Sequence, residues 1–445
     1  MQGGEPYVFQ DPADGSRLLG FEVDLAAAIA RRLGVTPEFV QNDWLTLVPS
    51  LERGDIDVVM NGLEVTPARR ARVSFTRPYF RFRERLVVRA GDSGITGLDD
   101  LDGRRVGTLG GSLAHDILRR TGGVEIVLYE GVDEPYTDLE NGRLDAVLLD
   151  HIIADRYGLS RPGLRAAADV DEGVYAIAVR PDEGDVLRAV DRALGEVIAA
   201  GELEQILRRW KLWDEDQRNL GEVAEEPAGS SAFSRVQPLL FLRAAGVTVL
   251  ISGLAMMVAV GGGLLLSLAR RYGAPPLRWA ASAYVEVFRG TPVLLQLYVL
   301  YFGLAPFLRL DAFTAAILGL GLNYAAYESE LYRAGLDAVP VGQTEAALAL
   351  GMSRRLTLRR IVLPQALRVA LPGIANDFIA LLKDSSLVSV ITVVELTKQM
   401  TITAVDVRSW MLPGALCAGL YLALSYPLSL LARRLERRLV PIAPR

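Results

Sequence analysis

Residues 345–364 read EAALALGMSRRLTLRRIVLP, an arginine-studded block set among long apolar stretches. Its fixed points are Glu345, Ala346 and Ala347, then Gly351 after three residues, Ile361 after nine more, and Leu363 with Pro364 after one. A charged segment held between apolar ones lies in water between two membrane crossings, and a short helix there can act as a rigid lever. Gly351 allows a turn, or a close backbone approach where a side chain would obstruct. Pro364 is expected to stop the helix and aim the chain back into the membrane.

Outward from this block the composition splits the chain in two. At 445 residues it exceeds what one core usually fills, so at least two domains are expected. The balance of 48 basic against 53 acidic residues argues against a nucleic-acid partner. Residues 1–215 carry charges throughout, as a soluble α/β protein does, whereas 239–432 are dominated by Leu, Ala, Val and Gly. Val247–Leu268 and Ser409–Ala432 contain no charged residue. Each is long enough as a helix to cross a hydrocarbon layer of about 30 Å. Less clean spans lie near 284–308, 312–332 and 372–394, which carry Glu286, Arg289, Glu328, Glu330, Asp377, Lys383 and Asp384. Such charges face a bundle interior or snorkel from a helix end. The sequence thus reads as five spans over 239–445.

Arginines set the expected orientation. Arg270, Arg271 and Arg278, then Arg354, Arg355, Arg359, Arg360 and Arg368, then Arg433, Arg434, Arg437 and Arg438 fall on one side. The other side holds little beyond Arg309, Lys398 and Arg408. The positive-inside rule puts the 345–364 loop and the C-terminus in the cytoplasm and the first half outside. Residues 214–238 are acidic and small, and read as a flexible linker.

Several chemistries find no support. The single Cys417 lies within the last span, so no intrachain disulfide forms. His115 and His151 are too few for a metal cluster and suit surface or hinge roles. A phosphate-binding loop needs Gly-Lys-Ser/Thr, and none of Lys211, Lys383 and Lys398 follows a glycine. No cofactor is expected, and the chain has no loop of this type with which to use ATP itself.

In the first half, GFEVDLAAAIARRLG (20–34) reads as a turn into a helix with apolar residues at 25, 29 and 33. IDVVM (56–60), RLVV (85–88), RRVGTL (104–109), LDAVLL (144–149) and YAIAV (175–179) read as short buried strands. Their alternation with helical segments predicts an α/β fold with a largely parallel sheet.

The block at 345–364 resembles the cytoplasmic coupling loop of importer-type ABC permeases. EVFRGTPVLLQLYVLYFG (286–303), YESELYRAGLDAVPVGQ (327–343) and NDFIALLKDSSLVSVI (376–391) extend the resemblance to the polar amino acid branch of that family. It implies five helices forming half a pore, a second permease copy facing the first, and a separate ABC ATPase subunit docked on Glu345, Ala346, Ala347, Gly351, Ile361, Leu363 and Pro364. In the first half, GFEVDLA, PSLERGDIDVVMNGLEVTPARR, FTRPY and RLDAVLLD resemble the extracellular solute-binding proteins for polar amino acids. That resemblance implies a two-lobed periplasmic-binding-protein fold over 1–213, one lobe from about 1–88 and 185–213, the other from about 89–184, clamping ligand between them.

A free amino acid presents a carboxylate and an ammonium, so its receptor needs a cation and an anion. The resemblance assigns Arg69 to the α-carboxylate, a planar fork suited to two oxygens, and Asp150 to the α-ammonium. It makes Trp44 an aromatic wall, and lets Gly62 and Ser112 offer backbone or hydroxyl groups. Glu64 departs from the family, which more often has Ser or Thr there. A glutamate repels an anion unless it faces away, so either the ligand is cationic or Glu64 pairs with an arginine. The family also begins with an apolar strand and a signal peptide ahead of the segment that here is EPYVF (5–9). The coding sequence is therefore expected to start upstream of Met1, leaving the first lobe short of a strand.

The function implied is a receptor fused to the permease of an ABC importer for a polar amino acid, in the plasma (inner) membrane among lipid. It is a transport subunit and no enzyme. An amino-acid-gated ion channel or a sensor could use the same clamshell. A channel needs a filter of the TVGYG type, which is missing, and only about a dozen residues follow Ala432 for signalling.

Overall fold

A computed structural model of the chain describes residues 4–15, 17–220, 237–305, 307–407 and 409–439. They fall into two compact units, one of residues up to 220 and one from 237 onward apart from Val405–Arg408.

The first unit holds eight strands: β1 (Phe9–Gln10), β2 (Leu18–Leu19), β3 (Val58–Val59), β4 (Ser74–Arg89), β5 (Arg105–Leu109), β6 (Glu125–Tyr129), β7 (Ala146–Asp150) and β8 (Leu164–Val179). β1 and β2 pair by themselves, and the other six form one sheet in the order β3-β8-β4-β7-β5-β6. The alternation in β4 explains its place at the centre. Phe80, Phe82, Glu84 and Leu86 are fully buried, while Arg81, Arg83 and Arg85 lie on the opposite, half-exposed face. On the outer face Arg85 pairs at 2.7 Å with Asp169, its register partner on β8, and Arg81 pairs at 3.1 Å with Glu172. On the inner face Phe82 stacks on Tyr175 of β8, with ring centroids 4.4 Å apart. Both faces thus fix one register.

The sheet is mixed rather than largely parallel. β5 pairs parallel with β6 and β7, but β3 with β8, β8 with β4, and β4 with β7 are antiparallel. The reason is the pair of 16-residue strands β4 and β8, which run the length of the sheet in opposite directions and belong to both lobes. One lobe gathers β3 and the helices Phe21–Leu33, Leu47–Arg53, Gly184–Ala199 and Glu202–Arg209. The other gathers β5, β6 and β7 with the helices Leu113–Thr121 and Glu134–Glu140. The expected helix at 20–34 forms with Leu25 and Ile29 buried, and Gly34 ends it in the left-handed conformation at φ 68°.

Part of the expected linker is packed structure. The amide of Gln217 exchanges two hydrogen bonds of 2.9 Å with the backbone of Arg81 in β4, extending that strand's pairing by a side chain. Leu220 packs on the same core. Residues 221–236 of the expected linker lie outside the described residues.

The second unit is helical. Its longest helices are Gln237–Tyr272, Ala312–Asp337, Leu363–Asp384 and Met411–Leu439. Two helical stretches, Gln237–Tyr272 and Met411–Arg434, are long and apolar enough to cross a membrane. The expected span at 284–308 is divided. Helix Pro275–Gly290 ends at an extended Thr291, and Pro292 precedes the next helix, Val293–Tyr298, because proline has no N–H to carry the ladder on. The expected 372–394 span starts earlier, at Leu363, and carries Pro372 inside its helix. Gln237–Tyr272 and Ala312–Asp337 meet through small residues. A Cβ on Gly263 would lie 3.0 Å from the Ala325 carbonyl oxygen, and one on Gly321 would lie 3.0 Å from that of Ala255. Glycine lets these backbones touch. Charges collect near the ends of both helices, where Arg270 and Arg333 pair with Glu330, and Arg271 with Asp337.

Glu22 ties the first helix of the first unit to the turn that carries the cleft. Its Oε1 accepts from the Gly62 N–H at 2.6 Å and from the Tyr79 hydroxyl, while its Oε2 has no partner. Burial pushes its pKa up from 4.5 to about 7. The stability tied to this proton is full below pH 4.5 and is lost as the pH rises through 7, by about 3 kcal/mol. Glu22→Gln, which keeps an acceptor and cannot ionise, should therefore melt increasingly later than the parent as the pH is raised from 4.5 to 8. A constant difference across that range, read by thermal scanning, would contradict it.

Candidate functional site

Between the lobes of the first unit lies a cavity of about 270 Å³, the scale of one small molecule. Trp44, Gly62, Glu64, Ser112 and Asp150 line it, and so do Tyr7 and Glu84. Arg69, expected to face the ligand, is not among the described residues that line it.

Arg69 sits behind Glu64, and its guanidinium is engaged. Nη1 donates to the Glu64 carbonyl at 3.0 Å and to Glu64 Oε2 at 3.1 Å, while Nη2 donates to the Gly111 carbonyl at 3.0 Å. Its Cζ lies 4.8 Å from the centre of the Trp44 ring. The same Glu64 Oε2 accepts from the Leu113 N–H at 2.8 Å, in the first turn of the helix Leu113–Thr121. Glu64 thus pairs with an arginine. Its carboxylate takes two donors that suit a ligand carboxylate, a guanidinium and a helix N-terminus. Burial pushes Glu64 upward in pKa, and the neighbouring Arg69 opposes that rise.

These contacts also join the lobes. Arg69 and Trp44 belong to the first, and Gly110, Gly111 and Leu113 to the second. Trp44 Nε1 adds a 3.2 Å bond to the Gly110 carbonyl.

Asp150 ends β7 and caps the short helix after it, accepting from the Ile153 N–H at 2.9 Å. The Tyr7 hydroxyl donates to Asp150 at 3.0 Å and lies 3.0 Å from the Tyr175 hydroxyl. Burial raises the Asp150 pKa. Gly62 has φ 58°, and a Cβ there would lie 2.8 Å from the Tyr7 ring, so both its conformation and its neighbour require glycine. Its N–H is held by Glu22 rather than turned to the cavity. The Ser112 hydroxyl is likewise committed, donating to the Leu109 carbonyl at 2.9 Å and accepting from the His115 N–H at 3.1 Å as a helix cap. His115 is buried, not at the surface. Its Nδ1 accepts from the Gly111 N–H at 3.3 Å, and burial lowers its pKa to about 4, so it is neutral. His151 accepts from the Arg83 N–H at 3.2 Å beside β4.

In the second unit the block at 345–364 forms the helix Val341–Ala349, a turn, and a second helical run from Arg354. Gly351 has φ 82° with open space where a Cβ would stand, so the turn rather than a close approach requires it. The Gly351 N–H bonds the Leu348 carbonyl at 3.0 Å and the Met352 N–H bonds the Ala347 carbonyl at 3.1 Å, a Schellman cap. Pro364 does not stop the helix. It sits in the first turn of Leu363–Asp384, directly after the wide turn Leu358–Val362, whose looser ladder spares the missing N–H. Glu345 and Ala346 are exposed, Ala347 and Val362 are buried, and Ile361 and Leu363 are half-buried. Val341 and Leu350 stand out into solvent at 71% and 84% exposure, an apolar surface left uncovered by the described residues of the unit.

Residues 1–212 match the bacterial extracellular solute-binding proteins, family 3, and residues 246–441 match the binding-protein-dependent transport system inner membrane component. The L-cystine transport system permease protein TcyB of Bacillus subtilis is 42% identical over 178 residues, 40% of this chain and 76% of that protein. The glutamine transport system permease protein GlnP of Escherichia coli K12 is 40% identical over 204 residues, 45% of this chain and 93% of that one. The chain belongs to the amino acid ABC transporter permeases. An ancestral arginine-binding protein solved with glutamine is 33% identical, covering 48% of this chain and 95% of its own, at a TM-score of 0.45. This permease carries, ahead of its membrane component, a solute-binding domain of the two-lobed periplasmic binding fold.

Sequence reasoning missed Tyr7 and Glu84 in this permease's cleft. Tyr7 lies in EPYVF, a segment read only for what should precede it. Glu84 had a signal. In FRFRERL it falls on the same alternate positions as Phe80, Phe82 and Leu86, hence on the buried face.

Glu64 holds Arg69, so a ligand carboxylate bound at Arg69 would have to displace it. Glu64→Ser should lower the stability of the ligand-free permease by about 3 kcal/mol, the usual cost of stranding a buried charge. It should also tighten binding of an amino acid on the order of tenfold, with saturating ligand restoring the melting temperature. Weaker binding in the folded variant would contradict the competition.

Proposed function

We propose that this permease is the combined receptor and pore subunit of an importer for a polar amino acid, driven by a separate ABC ATPase. The observation that carries the reading is the presence, in one chain, of a solute-binding domain with a charged interlobe cavity and a permease component with a capped, surface-exposed loop helix. Relatives named for L-cystine and glutamine transport support a polar amino acid as cargo. Tethering places the receptor at millimolar effective concentration over its own pore, so capture from solution needs no second encounter.

In this reading the first unit lies outside the inner membrane and the C-terminus in the cytoplasm, as the arginine distribution demands. Asp150 takes the ligand's α-ammonium. Its carboxylate displaces Glu64 from Arg69 and from the Leu113 N–H, re-forming the interlobe bridge through the ligand. Trp44 walls the cavity beside Arg69. The second unit crosses the membrane five times, and two copies enclose the pore. The ATPase docks on Glu345, Ala346 and Ala347 and the exposed Val341 and Leu350, and Gly351 fixes the lever's angle. The permease binds no cofactor of its own.

The test is reconstitution in liposomes with the ATPase. Uptake of labelled amino acid should require that subunit and ATP, and ligand alone should drive no ion current. Ligand-gated current without ATP would favour a channel instead. Gly351→Val, which forces a side chain into the left-handed region at a cost of roughly 1–2 kcal/mol, should abolish uptake and leave ligand affinity unchanged. Full uptake by the folded variant would remove the loop from the coupling.

A further inference from the structure

Glu84 lines the cavity, and neither the fold nor the proposed function has given its carboxylate a use. It is fully buried in the middle of β4, and neither carboxylate oxygen has a hydrogen-bond partner among the described residues. The Ala114 N–H lies close enough to favour the charged form without completing a hydrogen bond. In the sheet register Glu84 stands directly opposite Asp150, so two carboxylates face each other across adjacent strands of the cavity wall. Like charges in that relation destabilise a sheet, and burying an unpaired one costs more. Glu64, Glu130, Asp133 and Glu134 also line the cavity, and no Lys, Arg or His is among the described residues that do.

The charges can be counted. Arg69 is paired with Glu64 and, in the proposed complex, with the ligand's carboxylate, while the α-ammonium of any amino acid answers Asp150. A neutral or acidic amino acid then leaves Glu84 buried without a counter-charge. A second cationic group on the ligand supplies it. We infer that the cleft selects a basic amino acid, and that Glu84 is the residue that discriminates it from neutral ones by pairing with the additional positive charge. The inference rests on the receptor reading proposed above. Glu64, once displaced from Arg69, is the other lining carboxylate open to a ligand cation, and the Glu84→Gln variant below separates the two.

Burial and the carboxylates of Glu64 and Asp150 hold the Glu84 pKa well above the ordinary carboxylate range. A buried acid in that state is poised to ionise when a cation arrives and to return to the neutral form when it leaves.

The test is calorimetric titration of the full chain in nanodiscs with arginine, lysine, glutamine and glutamate, and with the decarboxylated amines agmatine and cadaverine. Arginine or lysine should bind tighter than glutamine by on the order of tenfold or more. Glu84→Gln removes an unpartnered buried acid, so it should fold at least as well as the parent. It should weaken the basic ligand by a similar factor and leave glutamine unaffected. Glutamine or glutamate binding as tightly as arginine and lysine would overturn the inference while leaving the receptor reading in place. So would an unchanged preference in Glu84→Gln. Agmatine or cadaverine binding without any amino acid would keep the charge assignment and overturn the amino acid reading. No binding by any of the six overturns both.

Discussion

The buried pair of Arg69 and Glu64 is the interaction on which the cleft depends. Both side chains are nearly out of solvent, at 12% and 6% exposure, so neither charge can fall back on water. Removing one partner of such a pair strands the other at a cost of about 3–5 kcal/mol. The pair also bridges the lobes, since Arg69 reaches the Gly111 carbonyl and Glu64 receives the Leu113 N–H. An internal carboxylate therefore takes the donors that the proposed complex gives to the ligand's carboxylate. In that proposal ligand binding is an exchange of one anion for another at a fixed cation. Such an exchange favours ligands that bring a further interaction, because the carboxylate alone gains little over Glu64.

That further interaction is available on the opposite wall. Asp150 and Glu84 are register partners on β7 and β4, and Tyr7 holds only the first of them. β4 can carry a carboxylate at this point because its outer face is secured independently. Arg85 bonds Asp169 and Asp155, and Arg81 bonds Glu172, so the strand's register does not depend on what Glu84 does inside. A strained inner position is tolerated where the outer face and the Phe82–Tyr175 stack already fix the geometry.

Much of this was legible in the residues. The spacing in 345–364 located a capped turn, and Gly351 at φ 82° is the position that needed glycine. The helix at 20–34 and the strands at 56–60, 104–109, 144–149 and 175–179 followed from apolar periodicity. Other features depended on tertiary partners. The sheet's mixed direction arises from two long strands that belong to both lobes, which short apolar runs do not reveal. The place of Pro364 depended on a wide turn just before it, and the break at Thr291 and Pro292 was hidden inside an otherwise apolar stretch. Arg69 was singled out only by the family resemblance, and its occupation by Glu64 required knowing that the other lobe supplies the Gly111 carbonyl and the Leu113 N–H to the same pair. The alternation in β4 carried the signal for Glu84, but only 85–88 of that strand was read, which left the residue out.

The most direct measurement is a structure of the full chain with a bound amino acid. The ligand's carboxylate should lie on Arg69 and the Leu113 N–H with Glu64 turned away, and its ammonium should lie at Asp150. A ligand bound with the Arg69–Glu64 pair intact, or bound outside the interlobe cavity, would contradict the exchange on which the mechanism rests.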